Sequence, residues 1–176
     1  RLEMAAAGLT DLLSRAPLSP FLGRARLAQA MALLALGRLR EAPREFTTAL
    51  QEGEGALAHV GLGSVALAER RWEDATRHLT EARDSGTEPV RQAALHGLAA
   101  AAFYQGNRRE FMQQATALVQ AAPGAPGAPR LLYLLSALAA EEKAWSDARE
   151  LTLRLVREHT ASEEADDALS RLGAGA

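Results

Sequence analysis

The chain has 176 residues, 48% hydrophobic and 24% charged, which is ordinary globular composition and suits one domain or one short repeat array. Its net charge of −2 and pI near 6.1 leave no basic field to attract nucleic acid or anionic lipid. The absence of cysteine excludes disulfides and thiolate chemistry, and no apolar run approaches the ~20 residues of a membrane span.

Apolar residues recur at three- and four-residue intervals almost throughout, whereas β-branched residues are sparse and never alternate for long. The pattern therefore predicts helices and no sheet. The first helix carries Ala5, Leu9 and Leu12 on one face and stops at Pro17. After the break at Pro17 and Pro20 comes a helix with Ala25, Ala28, Leu33 and Leu36, then a turn at Gly37. Pro43 falls in the next helix, which should start late or bend, because proline removes a helical hydrogen bond unless it sits in the first turn. Gly53 and Gly55 make the next break, then Ser85-Gly86, then the run from Pro123 to Pro129. The segments between these breaks run to roughly 30 residues, too long for one average helix and right for two.

That period exposes a repeat. Gly37-Arg38-Leu39-Arg40-Glu41-Ala42, followed by Phe46, Ala49 and Leu50, returns as Arg70-Arg71-Trp72-Glu73-Asp74-Ala75, followed by Leu79 and Ala82. A weaker copy runs from Gly106 to Phe111, with Ala115, Leu118 and Pro123 beyond it. Another runs Lys143-Ala144-Trp145-Ser146-Asp147-Ala148, with Leu151, Leu155 and Val156.

The pattern resembles the tetratricopeptide repeat, over nearly the whole chain. Leu62-Gly63 and Leu172-Gly173 match that family's first-helix pair. Gly37 and Gly106 mark turns, and Trp72 and Trp145 fill the aromatic slot. Ala42, Ala75 and Ala148 are the small residues of the second helix, and Pro17 and Pro123 the terminators. Phe111 departs from the pattern by standing where alanine is expected. Ala99 to Ala102 face it, so a small-for-large exchange could preserve volume. The resemblance implies an all-α solenoid of helix–turn–helix repeats, a right-handed superhelix of about ten helices. The repeats would be a half repeat over 1–17, repeats over 20–52, 53–86, 87–123 and 127–160, and a half repeat over 161–173. The last half repeat places Ala165, Leu169 and Leu172 on one apolar face, with Asp166, Asp167 and Arg171 outside.

Catalytic patterns are missing. His59, His78, His96 and His159 have no second histidine or well-placed carboxylate at helical ligand spacing, and read as solvated or packed. The pairs Glu141-Glu142, Glu163-Glu164 and Asp166-Asp167 point about 100° apart on a helix, so they do not form an acid–base pair. Gly61 and Gly63 lie in a predicted helix without strand or lysine, which argues against a phosphate loop. The arginines around 38–44, 70–71 and 108–109 lie at turns beside Glu41, Glu69 and Glu110, and read as surface ion pairs. The sequence therefore implies no enzyme, no cofactor and no metal.

In the resembling family the first helix of each repeat lines a concave groove. Carried over, the groove residues are Leu27, Met31 and Leu34, then Leu57, Val60 and Leu67, then His96, Phe103 and Tyr104, and finally Tyr133. Leu27, Met31, Gly61, Ala93 and Gly97 stand where carboxylate-gripping members carry lysine, asparagine and arginine. An apolar groove instead suits an amphipathic helix or an extended apolar segment. The expected function is a scaffold or adaptor that binds another protein or a peptide, with no nucleic acid and no membrane insertion. Two alternatives stand beside it, an envelope or periplasmic repeat protein in an assembly or secretion machine, and a regulatory domain of a larger protein. The chain starts at Arg1 without methionine and ends on Gly173-Ala174-Gly175-Ala176, so it reads as a monomeric module of a longer chain or complex. Lys143 is its only lysine, a bias that points to a GC-rich bacterial genome and leaves cytoplasm or periplasm open.

Overall fold

A computed structural model describes residues 1–15, 21–125 and 127–174, with side chains through 171. Pro17, Pro20, Pro126 and the side chain of Leu172 lie outside the described residues. All regular structure among the described residues is helical: α1 (Leu2–Arg15), α2 (Leu22–Ala35), α3 (Ala42–Gln51), α4 (Gly55–Ala68), α5 (Trp72–Ser85), α6 (Glu88–Tyr104), α7 (Arg108–Ala121), α8 (Ala128–Glu141), α9 (Trp145–Glu158) and α10 (Glu163–Ala174). The chain forms two compact units, Arg1–Phe111 and Met112–Ala176, and the division falls inside α7.

The turns α2–α3, α4–α5, α6–α7 and α8–α9 are built alike. Gly37, Arg70, Gly106 and Lys143 have φ of 72°, 59°, 70° and 61°, in the left-handed region. Each donates its N–H three residues back, to Leu34, Leu67, Phe103 and Ala140. Each following residue donates five back, to Leu33, Ala66, Ala102 and Ala139, at 2.8–2.9 Å. This is the Schellman closure, which satisfies carbonyls that the helix end would leave bare. Glycine takes this conformation without steric cost, but two of the four positions are Arg70 and Lys143.

Local chemistry fixes where helices begin. Asn107 Oδ1 accepts the Glu110 N–H and Ser162 Oγ accepts the Ala165 N–H, capping α7 and α10. Glu73 and Asp74 place negative charge in the first turn of α5, and Asp147 does so in α9. The expected effect of Pro43 is visible. α5, α7 and α9 start two residues after Arg70, Gly106 and Lys143, whereas α3 starts five after Gly37, which puts Pro43 in its first turn.

The first unit has its core along the seams between successive helix pairs. Ala30, Leu33, Ala42, Phe46 and Val65 form one cluster, and Ala66, Ala75, Leu79 and Leu98 the next. The small residues of the second helices, Ala42, Ala75 and Ala148, are all buried. Glycines on the first helices receive the large residues. The Phe46 ring fills the space over Gly61, while Leu79 occupies the space over both Gly63 and Gly97. In α7 the order of sizes is reversed. Phe111 stands in the small slot and Ala115 one turn later in the large one, and both are buried. In the second unit, Val119, Leu132, Leu155, Ala165 and Ala168 pack together.

Two faces differ from expectation. α1 buries Ala6 and half-buries Leu9 and Leu13, leaving Ala5 and Leu12 exposed. Gln29 of α2 donates a hydrogen bond to Thr10 Oγ1 of α1, 2.8 Å long, in this arrangement. On α10, Ala165 and Ala168 pack inward while Leu169 stays exposed.

Candidate functional site

The first helices α2, α4 and α6 are neighbours within the first unit. Leu27, Met31 and Leu34 lie along one stripe of α2, spaced by four and three residues, and Leu57, Val60 and Leu67 along a stripe of α4. His96 and Phe103 are seven residues apart on α6, with Tyr104 beside Phe103. The structure divides these residues by exposure. Met31, Leu57, Phe103 and Tyr104 are 52%, 43%, 56% and 67% exposed, and His96 is exposed too. Leu27 and Leu34 lean on the Phe46 cluster, Leu67 on the Leu79 cluster, and Val60 on Ala82, Val90 and Ala94. These four are half-buried, and Met31, Leu57, Phe103 and Tyr104 offer exposed apolar surface.

The aromatic residues form a group that the sequence does not show. Tyr104, in the last turn of α6, stacks on Trp72, the first residue of α5, with centroids 5.5 Å apart and planes at 12°. Phe103 meets Tyr104 edge-on at 5.7 Å and lies 5.7 Å from the buried Phe111. Such rings present a broad rigid area at little rotamer cost. Trp72, which fills the aromatic slot of its repeat, is thus covered by Tyr104 from the next first helix. Beside the stack, the Arg71 guanidinium is held at 2.6 Å by both Glu69 and Asp74, whose hydrogen bonds raise its pKa further above the usual arginine value. The ledge is therefore apolar with a neutralised ion network at its side. Of the other turn arginines, Arg38 pairs with Glu41 at 2.7 Å as expected, whereas Arg70, expected to pair at its turn, makes no salt bridge among the described residues.

Tyr133 belongs to the second unit. It lines a cleft of about 440 Å³ among α8, α9 and α10, floored by Ala137, Ala140 and Ala148 and flanked by Trp145. The Arg171 guanidinium sits 5.5 Å from the Tyr133 ring centroid, within cation–π range.

Two of the histidines meet. Nδ1 of His59 on α4 lies 3.0 Å from Nδ1 of His78 on α5, and both side chains are half-buried. Asp74 stands one turn before His78, but it is engaged by Arg71 at 2.6 Å and Arg77 at 2.8 Å. Local spacing misses this pair because its members are nineteen residues apart and meet across a helix hairpin. His159 is different: its Nε2 is buried and finds no hydrogen-bond partner among the described residues. Gly61 and Gly63 are buried under Phe46 and Leu79, so no phosphate could reach their backbone. Among the described residues no three acidic or histidine groups converge as metal ligands, and no helix is long and apolar enough to cross a membrane.

No protein-family model and no curated protein matches the sequence. Among solved structures, the MamA RS-1 ArsTM double mutant superposes with a TM-score of 0.72 at 16% identity, over 92% of this chain and 87% of that one. The fold is tetratricopeptide-like. YrrB, described as a TPR protein with an unusual peptide-binding site, aligns at a TM-score of 0.47 and 16% identity, over 94% of this chain and 99% of its own.

Proposed function

We propose that this chain is a non-catalytic protein-interaction scaffold, and that its first unit holds a partner segment against α2, α4 and α6. The observation that carries the reading is the exposed apolar surface of Met31, Leu57, Phe103 and Tyr104 on three adjacent first helices. Large apolar side chains left in water on a folded domain mark interaction surface more often than chance exposure does when they gather. The Trp72–Tyr104–Phe103 ledge supplies the kind of rigid aromatic anchor that dominates binding energy at interfaces. Leu27, Leu34, Val60 and Leu67 hold the strip from beneath. A short amphipathic helix or an extended apolar segment is the occupant that this chemistry suits. In the second unit, Tyr133 would offer a separate contact in its own cleft.

The repeat organisation is part of the same proposal. We take α2–α3, α4–α5, α6–α7 and α8–α9 as four helix–turn–helix repeats, with α1 and α10 as half repeats. The four alike turns support it, at intervals of 33, 36 and 37 residues between Gly37, Arg70, Gly106 and Lys143.

The test begins by selecting peptides from a displayed library on the full chain and measuring their affinity for variants. Leu57→Arg and Phe103→Arg, each checked for unchanged helicity, should weaken binding at least tenfold. Added salt should change the wild-type affinity little, because the contacts are apolar. Binding that survives both substitutions but is lost in Arg70→Glu would place the site on the turn edge instead.

A further inference from the structure

The His59–His78 contact has a geometry that only a proton explains well. The ring centroids are 5.3 Å apart, which is the 3.0 Å nitrogen separation plus one ring radius at each end. The two Nδ1 atoms therefore face each other head-on. Two nitrogens ligating one Zn²⁺ at about 2.0–2.1 Å would be splayed around the ion, not aligned through it. A head-on pair at this distance is an N–H···N hydrogen bond in which one Nδ1 donates and the other accepts.

Proton counting gives the pair an unusual property. When both rings are neutral, the donor carries its hydrogen on Nδ1 and keeps a lone pair on Nε2. The acceptor carries its hydrogen on Nε2. A first added proton goes to the donor's Nε2 and leaves an imidazolium donating to a neutral imidazole, which strengthens the bond. A second proton has one place to go, the accepting Nδ1. It would set two N–H groups and two positive charges against each other at 3.0 Å.

We propose that His59 and His78 are a one-proton latch between α4 and α5, closed while the pair carries at most one extra proton and driven open when both rings are charged. Of the groups acting on His78, Asp74 alone favours its charged form. The groups acting on His78 besides His59 are Arg77, Asp74 and Arg71, and Asp74 is already bridged between the two arginines. On the other helices packed against the pair, Glu45 and Glu52 of the α3 segment are tied to Arg26 of α2, and Glu54, just before α4, to Arg24. On α6, Arg91 is paired with Glu88, and His96 is exposed. Burial first, then His59, then Arg77 lower the pKa of His78 below its usual value. An unfolded chain then takes up its proton before the folded one does. The depressed step is the pair's second proton, so the latch holds through the first and its contribution is lost as pH falls further below about 6.5, where the unfolded chain takes up the second proton that the folded pair resists.

This inference is independent of the binding proposal. The full chain, ¹⁵N-labelled on histidine, should be titrated from pH 8 to pH 4.5 while the imidazole resonances are followed. The expected result is that His59 and His78 titrate together in two well-separated macroscopic steps, the second coinciding with loss of α4–α5 structure. In His78→Gln the two-step behaviour should vanish, and Tm should fall less between pH 7.5 and pH 5 than it does in the wild type. Independent single-step titration of both rings in the wild-type chain would overturn the latch, and that measurement stands even if the variant fails to fold. An unaltered pH dependence of Tm in a folded His78→Gln would overturn it equally.

Discussion

Gly61 of α4 lies so close beneath the ring of Phe46 of α3 that a Cβ there would stand within 2.5 Å of three of the ring carbons. Replacing a helical glycine by alanine ordinarily stabilises by about 0.5–1 kcal/mol. Here overpacking opposes it, at about 1–3 kcal/mol, because a buried ring between two helices has little room to retreat. Gly61→Ala should therefore destabilise the chain, by up to about 2.5 kcal/mol after the helical gain is subtracted. Gly8 on α1 has nothing within 4 Å of a built Cβ, so Gly8→Ala should show the ordinary sign. Urea denaturation of the two variants compares them directly, and a stabilised Gly61→Ala would show that the α3–α4 seam is looser than described.

Arg70 and Lys143 hold a left-handed conformation that costs an L side chain about 1–2 kcal/mol. Glycine removes that strain and gives back part of the gain through a freer unfolded chain. Arg70→Gly and Lys143→Gly should each raise stability by about 0.5–1 kcal/mol. Neither residue makes a salt bridge among the described residues that would offset the change. Thermal melts of the single and double variants check it, and a fall in Tm would mean that the side chains make a contact worth more than the strain.

Phe111 occupies the slot that holds alanine in the other second helices, and it is 4% exposed. Restoring the repeat pattern there should be harmful. Phe111→Ala removes a buried ring that lies 5.7 Å from the ring of Phe103. A loss of about 3–5 kcal/mol is expected, in the range for a buried phenylalanine truncated to alanine. A loss below about 1 kcal/mol would imply that the site closes up.

Much of this architecture is legible in the amino-acid order, because one period governs it. Ala42, Ala75 and Ala148 are buried where a close helix approach requires them, and Phe46 and Leu79 follow one turn later as fillers. Pro43 delays α3 because its ring tolerates only a first turn. The site is less legible, since it depends on contacts between repeats. Tyr104 has the groove-facing position number, yet Trp72, thirty-two residues earlier, decides where its ring lies. Val60 and Leu67 look equivalent to Leu57 by spacing, but only Leu57 stays exposed, because the clusters around Val90 and Leu79 reach the other two. The His59–His78 pair gives no local signal at all. Arg70 and Lys143 conceal two turns because the residue types argue against the conformation, and only alignment with Gly37 and Gly106 reveals it.

The chain's two tryptophans fall one to each compact unit: Trp72, half-buried against Tyr104, and Trp145, 66% exposed beside Tyr133's cleft. This distribution makes the molecule its own optical probe. In Trp145→Phe, emission comes from the aromatic ledge alone, and its wavelength follows whatever displaces Tyr104 from the indole. In Trp72→Phe, the remaining indole reports the second unit through its contact with water. Unfolding curves of the two variants would then show whether residues 1–111 and 112–176 melt at one temperature or two.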